Sequence, residues 1–114
     1  ANAANQLAFV CGLVEDEVVA TAIGMATTSG VAVGVSAGVG LDVTNATATP
    51  QLLICPGANA TNAINQGGWY QGFPGLGYHF LAWLEKGAGA GTQTWYGDNG
   101  GTNLQSGIIG TVLG

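Results

Sequence analysis

Residues 31–43, VAVGVSAGVGLDV, alternate with a period of two. Val31, Val33, Val35, Ala37, Val39, Leu41 and Val43 form one apolar stripe, and Ala32, Gly34, Ser36, Gly38, Gly40 and Asp42 lie between them. That period is the signature of a strand. A strand with a wet outer face normally carries Thr, Lys or Glu there. This one carries almost no side chains, and glycine inside a strand marks a bulge or a close approach of something else. The stretch therefore predicts a strand with its valine face in a core and its glycine face in close contact. The partner sheet and large side chains such as Trp83 or Trp95 are both open as that contact.

The rest of the chain reads in the same way. QLAFVCGLV alternates Leu7, Phe9, Cys11 and Leu13 against Ala8, Val10 and Gly12. EVVATAIGMAT separates Val19, Thr21, Ile23 and Met25 from Val18, Ala20, Ala22 and Gly24. A helix over VEDEVVATAIGMA is disfavoured by Gly24 and by the β-branched content. PQLLIC, YHFLAWLE, TQTWYG and LQSGIIGTVL add further strands, with turns at TTSG, EKGAGAG and GDNGG, where Gly and Asn supply positive-φ positions. Six to eight short strands at this spacing predict an all-β fold, a jelly-roll-like antiparallel β-sandwich. Residues 1–114 are expected to form a single domain. The start without a methionine suits a processed product or the C-terminal part of a longer chain. Residues 56–77 show no clear period and read as a long functional loop.

Only 6% of the 114 residues are charged, against about 25% in an ordinary soluble domain. There is no Arg, Lys86 is the single Lys, and the formal net charge is −5. Phosphate contacts need Lys and Arg, so nucleic acid is excluded as a partner, and an anionic membrane surface is disfavoured for the same reason. No window reaches the ~18 consecutive apolar residues of a spanning helix, so no membrane insertion is expected. A surface with so few charges is prone to associate, and coverage of that surface in an assembly resolves the difficulty.

An enzyme needs converging ionisable groups. With one His, one Lys, no Arg and six carboxylates, no catalytic set and no cofactor is expected. His79 reads as a satisfied or interfacial histidine in mid-strand. One His and two distant Cys make a poor zinc set. Glu15, Asp16 and Glu17 read as a solvated turn rather than a calcium site. Cys11 and Cys55 lie in apolar runs and read as buried free thiols, with a disulfide between them open only in an oxidising compartment. Asn45 and Asn59 begin two Asn-Ala-Thr acceptor patterns that chance explains in so Asn-rich a chain. The aromatics of the C-terminal half, chiefly Trp69, Tyr70, Phe73 and Trp95, serve either packing, a subunit interface, or stacking on a sugar ring.

The segments GYHFLAWLEKG, TQTWYGDNGG and LQSGIIGTVLG resemble the end of the trimeric jelly-roll domains of bacteriophage fibre, spike and head-decoration proteins. They are also loosely similar to the trimeric domains of the complement and tumour-necrosis-factor superfamily. The resemblance covers about a third of the chain and brings no catalytic residues. It implies a homotrimer whose last strand, Ser106-Gly107-Ile108-Ile109-Gly110, returns to the molecule's centre. The interface candidates are then Gly34, Ser36, Gly38, Gly40, Ile108 and Ile109. It implies a non-enzymatic virion protein, exposed on the particle surface and assembled in the host cytoplasm with other virion proteins. Its role is to stabilise the capsid or to present an adhesive surface. The alternative is a carbohydrate-binding or adhesion module that meets a host surface glycan through the 56–77 loop, with Trp69, Tyr70 and Phe73, and through Trp95 outside it.

Overall fold

The computed structural model describes residues 5–29, 33–48, 51–53, 57–58, 64–87, 89–97 and 106–113. They form ten strands: β1 (Gln6–Cys11), β2 (Glu17–Thr28), β3 (Val33–Gly34), β4 (Ser36–Leu41), β5 (Gln51–Leu53), β6 (Gly57–Ala58), β7 (Ile64–Gly72), β8 (Gly77–Lys86), β9 (Gln93–Tyr96) and β10 (Gly107–Leu113). The fold is all-β, as the alternation predicts, and every ladder is antiparallel. One sheet has the order β1-β8-β4 and the other β10-β2-β7-β5, with β3 and β6 forming a short ribbon. The two larger sheets pack as a β-sandwich.

The 12-residue strand β2 is the spine of the second sheet. One edge pairs with β7. The other edge takes β10 over Glu17–Ile23 and then β9 over Met25–Thr28. Ser106 stitches the junction of these two partners. Its hydroxyl accepts from Met25 N–H at 3.0 Å and donates to the Tyr96 carbonyl, and its own N–H reaches Gly97 O at 3.3 Å.

The core is built from small residues wedged by large ones. β2 turns Val18, Ala20, Ala22, Gly24 and Ala26 inward, and β4 contributes Ala37 and Val39. Leu81 and Trp83 of β8, Tyr70 of β7 and half-buried Trp95 of β9 fill the space those small residues leave. Trp83 and Trp95 meet edge to face, with centroids 6.3 Å apart and an 85° interplanar angle, the geometry favoured by ring quadrupoles. A Cβ on Gly24 would lie 3.2 Å from both Ala37 Cβ and Trp95 Cζ3 and 3.4 Å from Trp83 Cζ2.

The structure also settles what meets the glycine face of 31–43. Val31 and Ala32 lie outside the described residues. Val35, Ala37 and Val39 enter the core as expected, but Ser36, Gly38 and Gly40 are buried as well, within a single chain. At Asp42 the backbone takes a left-handed turn (φ 56°), which Asp tolerates better than most residues. The chain then folds back over β4. A Cβ on Gly40 would overlap the Val43 carbonyl oxygen and lie 3.1 Å from that of Ala46 and 3.3 Å from Leu84 Cδ1. Ala48 N–H donates to Val39 O at 2.8 Å. At Gly40 the close approach is therefore the chain's own 43–48 segment. Val43 leaves the apolar stripe and is exposed, because the strand ends before it.

The segment 56–77 is corrected too. Residues 64–72 are not loop but β7, a strand between β2 and β5. Its glycines and amides hide the period that packing imposes.

Because Gly24 faces two indoles, Gly24→Val is expected to destabilise the fold by about 1–3 kcal/mol through overpacking. A chemical-denaturation midpoint equal to wild type would show that the Trp83–Trp95 wedge is not tight.

Candidate functional site

The sequence-predicted interface residues do not form one surface. Ser36, Gly38 and Gly40 are buried beneath their own chain and Gly34 is half-buried. Ile108 turns toward the core, whereas its neighbour Ile109 points outward and is exposed. The aromatic candidates separate in the same way, because adjacent strand residues point to opposite faces. Tyr70 is buried in the core, and burial holds its hydroxyl above the usual tyrosine range. Trp95 is half-buried against Trp83. Trp69 stands on the outer face of the second sheet, and Phe73 is exposed beyond the end of β7. These four cannot contact one ligand together, so the aromatic sugar platform expected from residues 56–77 is not present as drawn.

Two exposed apolar surfaces emerge instead. The first is the outward face of β10-β2-β7. The register places Ile109, Thr21 and Trp69 on one rung and Ile23 between Gly107 and Gly67 on the next. Val19 sits between Thr111 and Gln71. The second is one end of the sandwich, where the β1–β2 turn and the β7–β8 connection lie side by side. Cys11 pairs with Gly77 there and Val18 with Gly72. Leu13, Val14, Phe73, Leu76, Val10 and Tyr78 are all exposed at or beside it.

The β1–β2 turn carries the acidic cluster. Asp16 is buried rather than solvated. Its Oδ2 accepts from Gly12 N–H at 2.9 Å and Leu13 N–H at 2.8 Å, so the carboxylate holds the turn. Glu17 Oε1 accepts from Gln71 Nε2 at 2.5 Å. No three His, Cys, Asp or Glu among the described residues come together to hold a metal ion. Cys11 is a buried free thiol, and burial, with Asp16 beside it, raises its pKa. Such a thiol is a poor nucleophile. Cys55 and Asn59 lie outside the described residues.

His79 has defined partners. Its Nδ1 donates to Asp42 Oδ2 at 2.8 Å, and its Nε2 faces the Gly75 carbonyl at 3.2 Å. The other Asp42 oxygen accepts from Phe80 N–H at 3.0 Å, and Asp42 N–H donates to Phe80 O at 2.9 Å. Both ring nitrogens therefore face acceptors. Only the protonated ring donates from both, so the bond to Asp42 above all holds the His79 pKa above its ordinary value. The constellation is a clamp joining the ends of β4 and β8.

A groove of about 560 Å³ runs between residues 44–47 and the end of β8. Asn5, Thr44, Asn45, Thr47, Glu85 and Lys86 supply its polar lining and Leu84 part of its apolar lining. Trp83 borders it, and the buried Trp83 Nε1 has no hydrogen-bond partner among the described residues. No local pattern marks this groove, because its two walls are about forty residues apart in the chain.

No helix among the described residues is long and apolar enough to cross a membrane. No family model matches the chain, and neither does any curated protein or solved structure.

The clamp makes stability depend on pH with a definite sign. A histidine whose folded pKa is raised contributes fully below its unfolded value near 6.5 and loses that contribution as pH rises through the folded value. The gap in urea midpoint between wild type and His79→Gln is therefore expected to be widest below about pH 6 and to shrink toward pH 9. A gap that stays constant over that range would remove the charged clamp.

Proposed function

We propose that this chain is a non-enzymatic structural protein of a bacteriophage particle, a capsid-decoration or fibre and spike subunit. It assembles as a homotrimer of jelly-roll-like sandwiches on the particle surface, beside other virion proteins. There it stabilises the particle or presents an adhesive surface.

The observation that carries this reading is the winding order. β1, β2, β4 and β5 alternate between the two sheets, and β7 and β8 then return between them. β8 lies between β1 and β4, and β7 between β2 and β5. This doubled-ribbon order supports the jelly-roll reading, an architecture used in viral capsid and lectin domains. The scarcity of charge adds support, since only seven of 114 residues are charged. A particle-bound subunit hides much of its surface and needs few charges to stay dispersed.

One observation favours the second reading, an adhesion module. The groove beside β8 gathers two Asn and two Thr side chains together with Glu85 and the chain's single Lys. Amides and hydroxyls that both donate and accept match the hydroxyl pattern of a saccharide. Under this reading Asn45→Ala abolishes the NMR shifts that added mono- and disaccharides produce in residues 44–47. Saccharides that leave those resonances unmoved exclude it.

The leading reading makes a direct prediction about mass. Light scattering during size exclusion is expected to return three times the 11.3 kDa of one chain. A single-chain mass throughout the micromolar range would rule out the trimer.

A further inference from the structure

We infer that the outward face of the β10-β2-β7 sheet is the contact between copies of this chain, the same face from each copy meeting around the assembly axis. The inference rests on the self-assembly part of the proposed function and names the surface responsible.

The face is apolar where an interface centre should be. Ile109 is 70% exposed, Ile23 47%, Trp69 43% and Val19 38%, all on neighbouring rungs of one hydrogen-bonded sheet. Polar side chains gather toward its ends: Glu17, Gln71 and Thr111 at one, where Leu113 is exposed beside Glu17, and Thr27 and Tyr96 at the other. An apolar centre with an aromatic anchor and a polar rim is the anatomy of a protein interface. The face also carries relief of its own. A Cβ built on Gly107 would meet nothing within 4 Å, so a side chain of another copy has room beside Ile23, next to protruding Ile109.

Charge selects that occupant. Among the described residues of this face, Glu17 is the only charged one, and Gln71 holds it at the rim. A charged partner would find nothing to pair with at the centre. A second copy brings an equally neutral surface. It also keeps Asp42, Glu85 and Lys86, which belong to the opposite sheet or its edge, away from the contact. For a chain of net charge −5, that separation limits like-charge repulsion between copies.

The test compares Ile109→Lys and Ile23→Lys with Phe73→Lys, which places the same charge on the exposed end of the sandwich instead. Each is followed by light scattering and circular dichroism. The face variants are expected to fall to single-chain mass with unchanged dichroism, while Phe73→Lys stays assembled. Face variants that keep the wild-type mass, or dissociation by Phe73→Lys alone, would overturn the inference and leave self-assembly standing. A wild type that is itself a monomer removes the proposed assembly and this contact with it. If the lysine variants lose their fold, dilution of wild type decides. Emission of exposed Trp69 is expected to move to the red as the mass falls, and not in Trp69→Phe. No shift on dissociation counts against the face.

Discussion

The sandwich depends on one steric fit, the two indoles of Trp83 and Trp95 seated against Gly24 and Ala37. Everything small on the inner face of β2 follows from it. A sheet that must receive such rings cannot also present large residues inward, so the inner side of β2 is mostly Ala and Gly and its Ile23 faces out. Burial of apolar area favours the large rings, at roughly 25 cal/mol for each Å² removed from water. Close packing then leaves the neighbours little freedom of size. The exposed isoleucine of β2 is thus the consequence of how the core was filled.

A second constraint acts on the other sheet. β4 has no strand beyond it in the described sheet order, and its outer side would leave glycine backbone open. The left-handed turn at Asp42 sends the chain back across that side, and Ala48 takes the Val39 carbonyl. Asp42 serves both ends of the manoeuvre. Its backbone makes the turn, while its carboxylate fixes His79 and Phe80 of β8. Backbone groups that a bare edge would leave unmatched are satisfied by the fold-back. This segment also forms one wall of the groove beside β8, so the groove exists because the edge had to be covered.

These features explain what was legible in the sequence. Period-two alternation marked β1, β2, β4, β8 and β10 because each has one face in the core and carries side chains that say so. It also placed Val35, Ala37 and Val39 inward. β7 was unreadable because Gln66, Gly67, Gly68 and Gln71 interrupt the pattern around Trp69 and Tyr70, although pairing on both edges makes it a central strand. The glycine face of β4 was read as open to a neighbour because a fold-back from residues 43–48 depends on one αL residue, and nothing local marks Asp42 as that residue. The clamp on His79 spans 37 positions and the Ser106 junction 81, separations at which composition and spacing carry no signal. Ser106 and Ile109 both fall in the expected last strand, but only the structure makes one a stitch and the other an exposed side chain. Their roles differ only because the pleat turns them differently.

The exposed apolar side of β10-β2-β7 and the near absence of charge belong to one argument. A chain poor in Lys, Arg and Glu lacks the usual means of keeping a sheet face wet and edges apart. Under the proposed assembly, a surface of defined shape takes the place of those charges. On this face a rigid ladder holds Ile23, Trp69 and Ile109 in fixed positions, with open space at Gly107 beside them. Seen this way, the small residues that admit the indoles inside and the large ones displaced outside are two results of a single choice along β2. That strand's inner side builds the subunit, and in the proposed assembly its outer side meets another.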